Sequence, residues 1–389
     1  MTCPKFLFAS QATSDVVFQL AETVAERLGP TLLHTGTALT SNQPSLEIAS
    51  GPKYDNSTIP LRALTWTKYL AQAAASLARV DGQPVMLLTS NPPLLPVLGY
   101  LYKRLRGWRY VVRVLDVYPD VLHQNGLVGP SHVVFKTWAA LNRLAYENAD
   151  VLITLGPAMA ERVSQYVSRK GMVEVIPDWV DAGTLRPVPK SENQFARRHG
   201  LVDNLTIMYS GNLGLTHDIS GLDAAMAKLG GDDKLRFVFI GGGARESELK
   251  TAAEQYSNVL WLPFQPREML PLSMSSADVG VVTLGRGSDG VSMPSKCYYL
   301  MACGCALLGL SSGNNDVKRI IDKYDCGINV EPDDTAGVVA AIERFRDEPE
   351  FRSSCGRNAR AAVEAEFSGD IVVERYLEIL GALRAQQDS

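Results

Sequence analysis

Two open α/β domains in one chain are what this sequence predicts, each a parallel sheet with helices on both faces. Three observations carry the prediction. Short apolar runs alternate with helical patterns through the first half. The same alternation restarts near Leu205. The 389 residues also exceed what one hydrophobic core usually serves.

In the first half, Lys5–Ala9 reads as a strand and Asp15–Leu28 as an amphipathic helix. Val85–Thr89 is a strand, and a proline-rich loop leads to a helix over Leu94–Leu105. Tyr110–Leu115, Val151–Thr154 and Val173–Ile176 follow as strands. Prolines at 177, 187 and 189 flank a short polar stretch and predict the hinge, giving domains over 1–180 and 181–370. In the second half the expected strands are Leu205–Ser210, Phe237–Gly241, Val259–Leu262, Val279–Thr283 and Ala306–Leu310. Helices are expected over Gly221–Lys228, Glu246–Gln255 and Thr335–Arg346, with a final amphipathic one over Ile371–Ala385. In open parallel sheets ligands bind beyond the carboxyl ends of the strands. Two such domains joined by a hinge make a cleft that suits a two-substrate reaction.

Composition excludes several classes. Hydrophobic residues make up 46% and charged residues 21%, as in ordinary globular proteins. A net charge of −4 and the lack of a basic arm argue against nucleic acid as a partner. Positive charge does gather at Lys103, Arg104, Arg106, Arg109 and Arg113, around Trp108. Such a cluster is either a contact for an anionic membrane surface or a solvated helix end and loop. The apolar stretch Val85–Tyr102 is broken by Asn91, Pro92, Pro93 and Pro96, so no spanning helix is expected. Met1–Ser10 reads as a first strand and not as a signal peptide. The six cysteines form no C-x-x-C pair, which predicts free, buried thiols in a cytoplasmic protein.

Three motifs can carry chemistry. Tyr209-Ser210-Gly211-Asn212-Leu213-Gly214 follows a strand, where glycines let backbone N–H groups approach a phosphate. Gly241-Gly242-Gly243 lacks the ending of a dinucleotide fingerprint and is expected to be a tight turn near the donor, with a packing role and not a direct contact. The most informative run is Ser288 to Gly304, where a polar loop enters Pro294, Ser295 and Lys296 and a helix begins. Ser295 is expected as its N-cap, with Lys296 adding a full charge to the anion-favouring helix start. Together they can neutralise a diphosphate leaving group without a metal. Asp116 and Asp120 follow a strand and flank Tyr118 and Pro119. Asp116 is a candidate to orient or deprotonate an acceptor hydroxyl; Asp120 is a candidate for the same work or for capping the next helix. No G-x-S-x-G elbow and no D-x-D carboxylate pair is suitably placed, so neither a serine triad nor a metal or other cofactor is expected.

The chain resembles the retaining GT-B glycosyltransferases of family 4, and within them the bacterial branch that builds O-antigen, capsule and exopolysaccharide. The matching pieces are Asp116–Asp120, Val175–Asp181, the Ser210–Leu213 turn, the Pro294–Lys296 loop with its helix, and Ala302-Cys303-Gly304. The resemblance implies two Rossmann-like domains facing across a cleft, with the terminal helix, residues 371–389, crossing back onto the first. It implies a nucleotide-sugar donor, UDP-linked for preference, in the second domain. There the diphosphate meets Gly211, Asn212, Leu213, His217, Ser295 and Lys296, and the base lies near Phe264 and Gln265. The sugar faces Ser288 to Ser292, with Asp289, Gly290 and Ser292 among the donor-binding residues; Pro294 belongs to the donor loop, and Tyr299 either contacts the ribose or packs in the core. A glycan or lipid-linked acceptor is implied in the first domain near Ser10, Asp116, Tyr118 and Asp120; if the basic cluster does meet a membrane, the protein is peripheral on the inner membrane face. Retention of anomeric configuration is implied too, with the leaving phosphate accepting the proton.

Departures from the family pattern accompany these matches. Val291 and Tyr299 stand where many members carry two glutamates, and Asn212 and His217 stand where phosphate-binding Arg and Lys are common. Two other classes therefore stay open: a nucleotide-sugar epimerase of the same shape, and a non-catalytic subunit that keeps the fold. A nicotinamide oxidoreductase is disfavoured by the missing first-strand fingerprint.

Overall fold

The computed structural model describes residues 3–55, 57–169, 171–213, 218–285 and 290–389. They divide into two compact units. Unit 1 runs to Pro177 and regains Gly290–Ser292 and Val372–Ser389; unit 2 holds Asp178–Asp289 and Met293–Ile371.

Unit 1 contains β1 (Phe6–Ser10), β2 (Thr31–Thr35), β3 (Leu46–Ser50), β4 (Val85–Thr89), β5 (Tyr110–Arg113), β6 (Val151–Thr154) and β7 (Val173–Val175). They form one seven-stranded sheet in the order β3-β2-β1-β4-β5-β6-β7. Every pairing is parallel. β1, β2 and β4 are buried along their whole length, so they read as unbroken apolar runs and not as alternations. β2 and β3, and the 20-residue helix Ile59–Ala78, have no counterpart in the sequence-based prediction.

Unit 2 contains β8 (Leu205–Ser210), β9 (Leu235–Ile240), β10 (Val259–Leu262), β11 (Val279–Thr283), β12 (Ala306–Leu310) and β13 (Gly327–Val330). These form a six-stranded parallel sheet in the order β10-β9-β8-β11-β12-β13. Its core joins Ile207, Phe237, Phe239, Val281 and Leu308 to Ile342 and Phe345 of the Thr335–Asp347 helix. Asp334 caps that helix by accepting from the Gly337 N–H.

In each sheet the strand order reverses beside the first strand of the unit, β1 or β8. The carboxyl ends there are where an α/β sheet offers a ligand crevice. The last helix, Gly369–Asp388, does cross back: from Val372 onward it belongs to unit 1. Val372, Tyr376, Leu377, Leu380 and Leu383 are buried on it. Arg113 of β5, 1% exposed, donates from Nε to Tyr376 Oη at 2.8 Å. Among the described residues no helix is long and apolar enough to cross a membrane.

Candidate functional site

At the end of β8, Gly211 turns the chain with φ of 137° and donates its N–H to Ile240 O. Leu213 donates to Gly242 O at 2.8 Å and bridges Gly243. A Cβ on Gly241 would lie 2.3 Å from Gly211 O, and one on Gly243 would lie 2.4 Å from Leu213 O. Only glycine permits that approach, so the second glycine run buttresses the first. Tyr209 completes the turn by donating from Oη to Asn212 O at 3.0 Å.

Lys296 meets this turn from the other side. It opens the seven-residue helix Lys296–Ala302, and its Nζ donates to Tyr209 Oη and lies 3.9 Å from that ring's centroid. A Cβ on Gly211 would lie 3.1 Å from Nζ. Burial disfavours the charged ammonium and draws its pKa down to about 7. A cavity of about 410 Å³ opens here, lined among others by Gly211, Asn212, Phe264, Gln265, Ser295, Lys296 and Tyr299. Arg267 lines it too, a cation that the sequence reading did not single out. Its signal was present, three residues beyond Phe264 on the loop after β10.

Some expected site residues are placed differently. Ser295 stands at the cap position but makes no side-chain cap bond, because its backbone is already αR and a capping residue needs non-helical dihedrals. Leu213 is a core residue, 1% exposed, so only its backbone faces the turn. Pro294 lies outside the residues lining the cavity and accepts the Cys297 N–H at 3.2 Å. His217 and Asp289 lie outside the described residues.

Unit 2 has a larger cavity, of about 500 Å³, beside Lys190, Asp278 and Arg360. Its cations are engaged internally. Lys190 pairs with Asp278, and Arg360 donates to the carbonyls of Leu185, Ala302 and Ala182. The cavity at Lys296 has the better anion chemistry.

In unit 1 the loop after β5 is pinned by Ser90, whose Oγ accepts from the N–H groups of Leu115 and Asp116. The Asp116 carboxyl sits in a recess where burial pushes its pKa up to about 6, opposed by the Arg62 charge. Gly290–Ser292 join this loop. Ser292 bridges Asp116 antiparallel, and Val291 O accepts the Val117 N–H at 2.8 Å. Gly290, at φ of 62°, is backed by Ala158 O, 2.5 Å from where a Cβ would stand. Gly290 and Ser292 are thus grouped with Asp116 and Tyr118, in unit 1. Ser10 ends β1 and is fully buried. Asp120 opens the short helix Asp120–Gln124 after Pro119 and makes no cap. Its carboxylate takes Arg162 Nε at 3.0 Å and the Tyr166 hydroxyl, a tie inside unit 1.

The basic cluster is not a free patch. Arg113 is buried, and Lys103 and Arg109 both pair with Asp150. Arg106 donates to Val80 O and Ala78 O, and Trp108 is fully buried. Lys103 and Arg109 are half-buried and Arg106 exposed, but each is tied to its own unit; Arg104 makes no such tie among the described residues.

Comparison with known proteins agrees with this architecture. The family model "Glycosyl transferase 4-like domain" matches residues 42–179, and "Glycosyl transferases group 1" matches residues 191–362. A probable glycosyltransferase, WbjE, of Pseudomonas aeruginosa is 26% identical over 294 residues, 75% of this chain and 73% of that protein. The putative colanic acid biosynthesis glycosyl transferase WcaI of Escherichia coli is 23% identical, over 68% of this chain and 67% of its own. Among solved structures, sucrose-phosphate synthase from Thermosynechococcus elongatus superposes with a TM-score of 0.79 at 18% identity, covering 98% of this chain and 100% of that one. HepE of Anabaena, solved with UDP-glucose, gives 0.73 at 15% identity over 97% and 99%. The fold is GT-B. With one glycosyltransferase model matched in each half, the chain is a GT-B glycosyltransferase.

Proposed function

We propose that this glycosyltransferase transfers a hexose or amino-hexose from a nucleoside-diphosphate sugar, UDP-linked for preference, with retention, to a growing lipid-linked glycan of a bacterial surface. The observation that carries the donor assignment is the half-buried Lys296 ammonium held on the Gly211 turn. A cation kept from water there gains most when a diphosphate arrives, and that gain grows as negative charge develops on the leaving group. Asn212, Ser295 and the backbone of the turn would complete the phosphate site. Phe264 would stack on the base: it is 62% exposed and lines the same cavity. Tyr299 lines the same cavity and would contact the ribose.

In unit 1, Asp116 would orient the acceptor hydroxyl, and the departing phosphate would accept its proton. HepE was solved with UDP and with UDP-glucose, and WcaI carries a colanic acid assignment; both support the donor class and the glycan setting. A peripheral position on the inner membrane face fits a lipid-linked acceptor. With most of the basic cluster engaged inside unit 1, the support for it is apolar: Leu101 and Leu105 are 42% and 78% exposed, beside Arg104. Sedimentation with liposomes tests this, and binding that Leu105→Glu abolishes is expected.

The test of the reaction is release of nucleoside diphosphate from a panel of UDP-, GDP-, ADP- and dTDP-sugars, with the product anomer read by NMR. Turnover of one nucleotide class with the donor's anomeric configuration kept is expected. Turnover of none contradicts the reading and favours a non-catalytic subunit; a changed sugar without transfer favours an epimerase.

A further inference from the structure

Unit 1 carries an aromatic set that the donor chemistry does not use. The Ile59–Ala78 helix places Ile59, Arg62 and Trp66 at i, i+3 and i+7, along one side. The Val133–Glu147 helix places Val134 and Trp138 at i and i+4. Trp66 and Trp138 meet edge to face, centroids 6.3 Å apart. Tyr118 stacks on Trp138 at 5.5 Å and meets the edge of Trp66 at 5.8 Å. The set sits at the carboxyl end of the first sheet. Gln11, the residue after β1, donates to Thr65 O at 3.0 Å, just before Trp66. Tyr118 lies two residues beyond Asp116.

Arg62 donates a hydrogen bond to the Tyr118 hydroxyl, but other polar atoms of the set are unmet. The indole nitrogens of Trp66 and Trp138, Arg62 Nε and Gln11 Oε1 are enclosed without a hydrogen-bond partner among the described residues. Elsewhere the chain satisfies its indoles: Trp108 donates to Gly82 O at 3.0 Å and Trp261 to Gly241 O at 3.1 Å. A buried polar group left unpaired costs about 1–3 kcal/mol, so four around one aromatic set are poorly explained as packing. The Arg62 charge acts on Tyr54, Asp116 and Tyr118, which places it beside the candidate acceptor-orienting carboxyl. Outward along the same two helices the side chains become aliphatic and exposed: Ile59 is 67% exposed, Val133 71% and Val134 45%.

We propose that this set is the acceptor subsite, and that it selects an amphiphile: a sugar carried on an apolar tail. The sugar's C–H face lies against the rings, and its hydroxyls take the N–H groups of Arg62 and the indoles. The tail covers Ile59 and Val134. Trp66 and Trp138 are half-buried, so side-chain rotation is enough to bring these donors to a ligand. The inference rests on the reading of the chain as a transferase with its acceptor in unit 1.

Two measurements on the full chain test it. The first compares octyl glycosides with the matching free sugars as acceptors, once a donor is known, in wild type, Trp66→Ala and Trp66→Phe. Octyl glycosides are expected to be better by about tenfold or more in kcat/KM. Trp66→Ala is expected to raise their KM at least about tenfold with a smaller change in kcat, and Trp66→Phe to restore part of it. Equal use of free sugars, or an unchanged KM in Trp66→Ala, overturns the proposal. The second is independent of turnover: tryptophan fluorescence is titrated with octyl glucoside below its micelle concentration. A saturable change that Arg62→Ala weakens supports the subsite. The absence of any saturable change for octyl glycosides overturns it, whether or not a donor is turned over; failure of the donor panel alone sinks only the transferase reading.

Discussion

Lys296 and Asp116 are the residues on which the proposed chemistry turns, and burial acts on them in opposite directions. It lowers the ammonium to about 7 and raises the carboxyl to about 6. Phosphate binding needs Lys296 protonated, and orienting an acceptor hydroxyl needs Asp116 ionised. The pH profile of kcat/KM, which reports groups of the free enzyme, is therefore expected to be a narrow bell. It should rise through about pH 6 and fall above about pH 7; Asp116→Asn should remove the acid limb. Lys296→Ala is expected to lower kcat about 10²- to 10³-fold, the scale of losing one preorganised charge-stabilising donor. His34 makes a separate prediction, about stability. Both ring nitrogens are enclosed without a partner, and burial draws its pKa down to about 4. The unfolded chain protonates near 6.5, before the folded one, so this contribution is complete above 6.5 and lost as pH falls toward 4. Urea midpoints of wild type should drop over that window, and those of His34→Leu should drop less.

At the scale of elements, the glycine turns and the terminal helix are the parts whose roles can be separated. The Gly241 Cβ position is 2.3 Å from Gly211 O. Gly241→Ala must push the β8 turn away, and a weaker nucleotide affinity is expected even where the fold survives. The terminal helix is tied to β5 by the Arg113–Tyr376 bond, with both side chains buried. Tyr376→Phe deprives a buried guanidinium of that acceptor and is expected to cost about 1.5–3 kcal/mol in urea unfolding. Truncation after Ser368 strips the buried Tyr376, Leu380 and Leu383 from unit 1 and is expected to yield an insoluble product.

Most strands that run through buried centres were legible because each is a short apolar run bounded by turn residues; Val85–Thr89, Leu205–Ser210 and Ala306–Leu310 match to the residue, whereas β2, equally buried, escaped because its two leucines stand among Thr31, His34 and Thr35. β3 escaped because Leu46–Ser50 is an edge strand with a single buried residue. The Ile59–Ala78 helix escaped because its exposed face is rich in Ala and Leu, which blurs the period that marks an amphipathic helix. With it went Arg62 and Trp66, whose neighbours come from elements far apart in sequence. The excursion of Gly290–Ser292 into unit 1 is likewise a matter of tertiary pairing, to Asp116 and Val117, that local pattern does not encode. The inward turn of the basic cluster has the same origin, since Asp150 lies about forty residues beyond the cations it pairs.

For the whole molecule, the proposed donor site is the cavity between the Gly211 turn and Lys296, which would hold the diphosphate of a nucleotide sugar. Isothermal titration of UDP into wild type and Lys296→Ala at pH 6.5 tests it most directly. One saturable site is expected in the wild type and at least about tenfold weaker binding in the variant, since a lost charge-assisted bond costs roughly 1.5–3 kcal/mol. Equal affinity in a folded Lys296→Ala would contradict it.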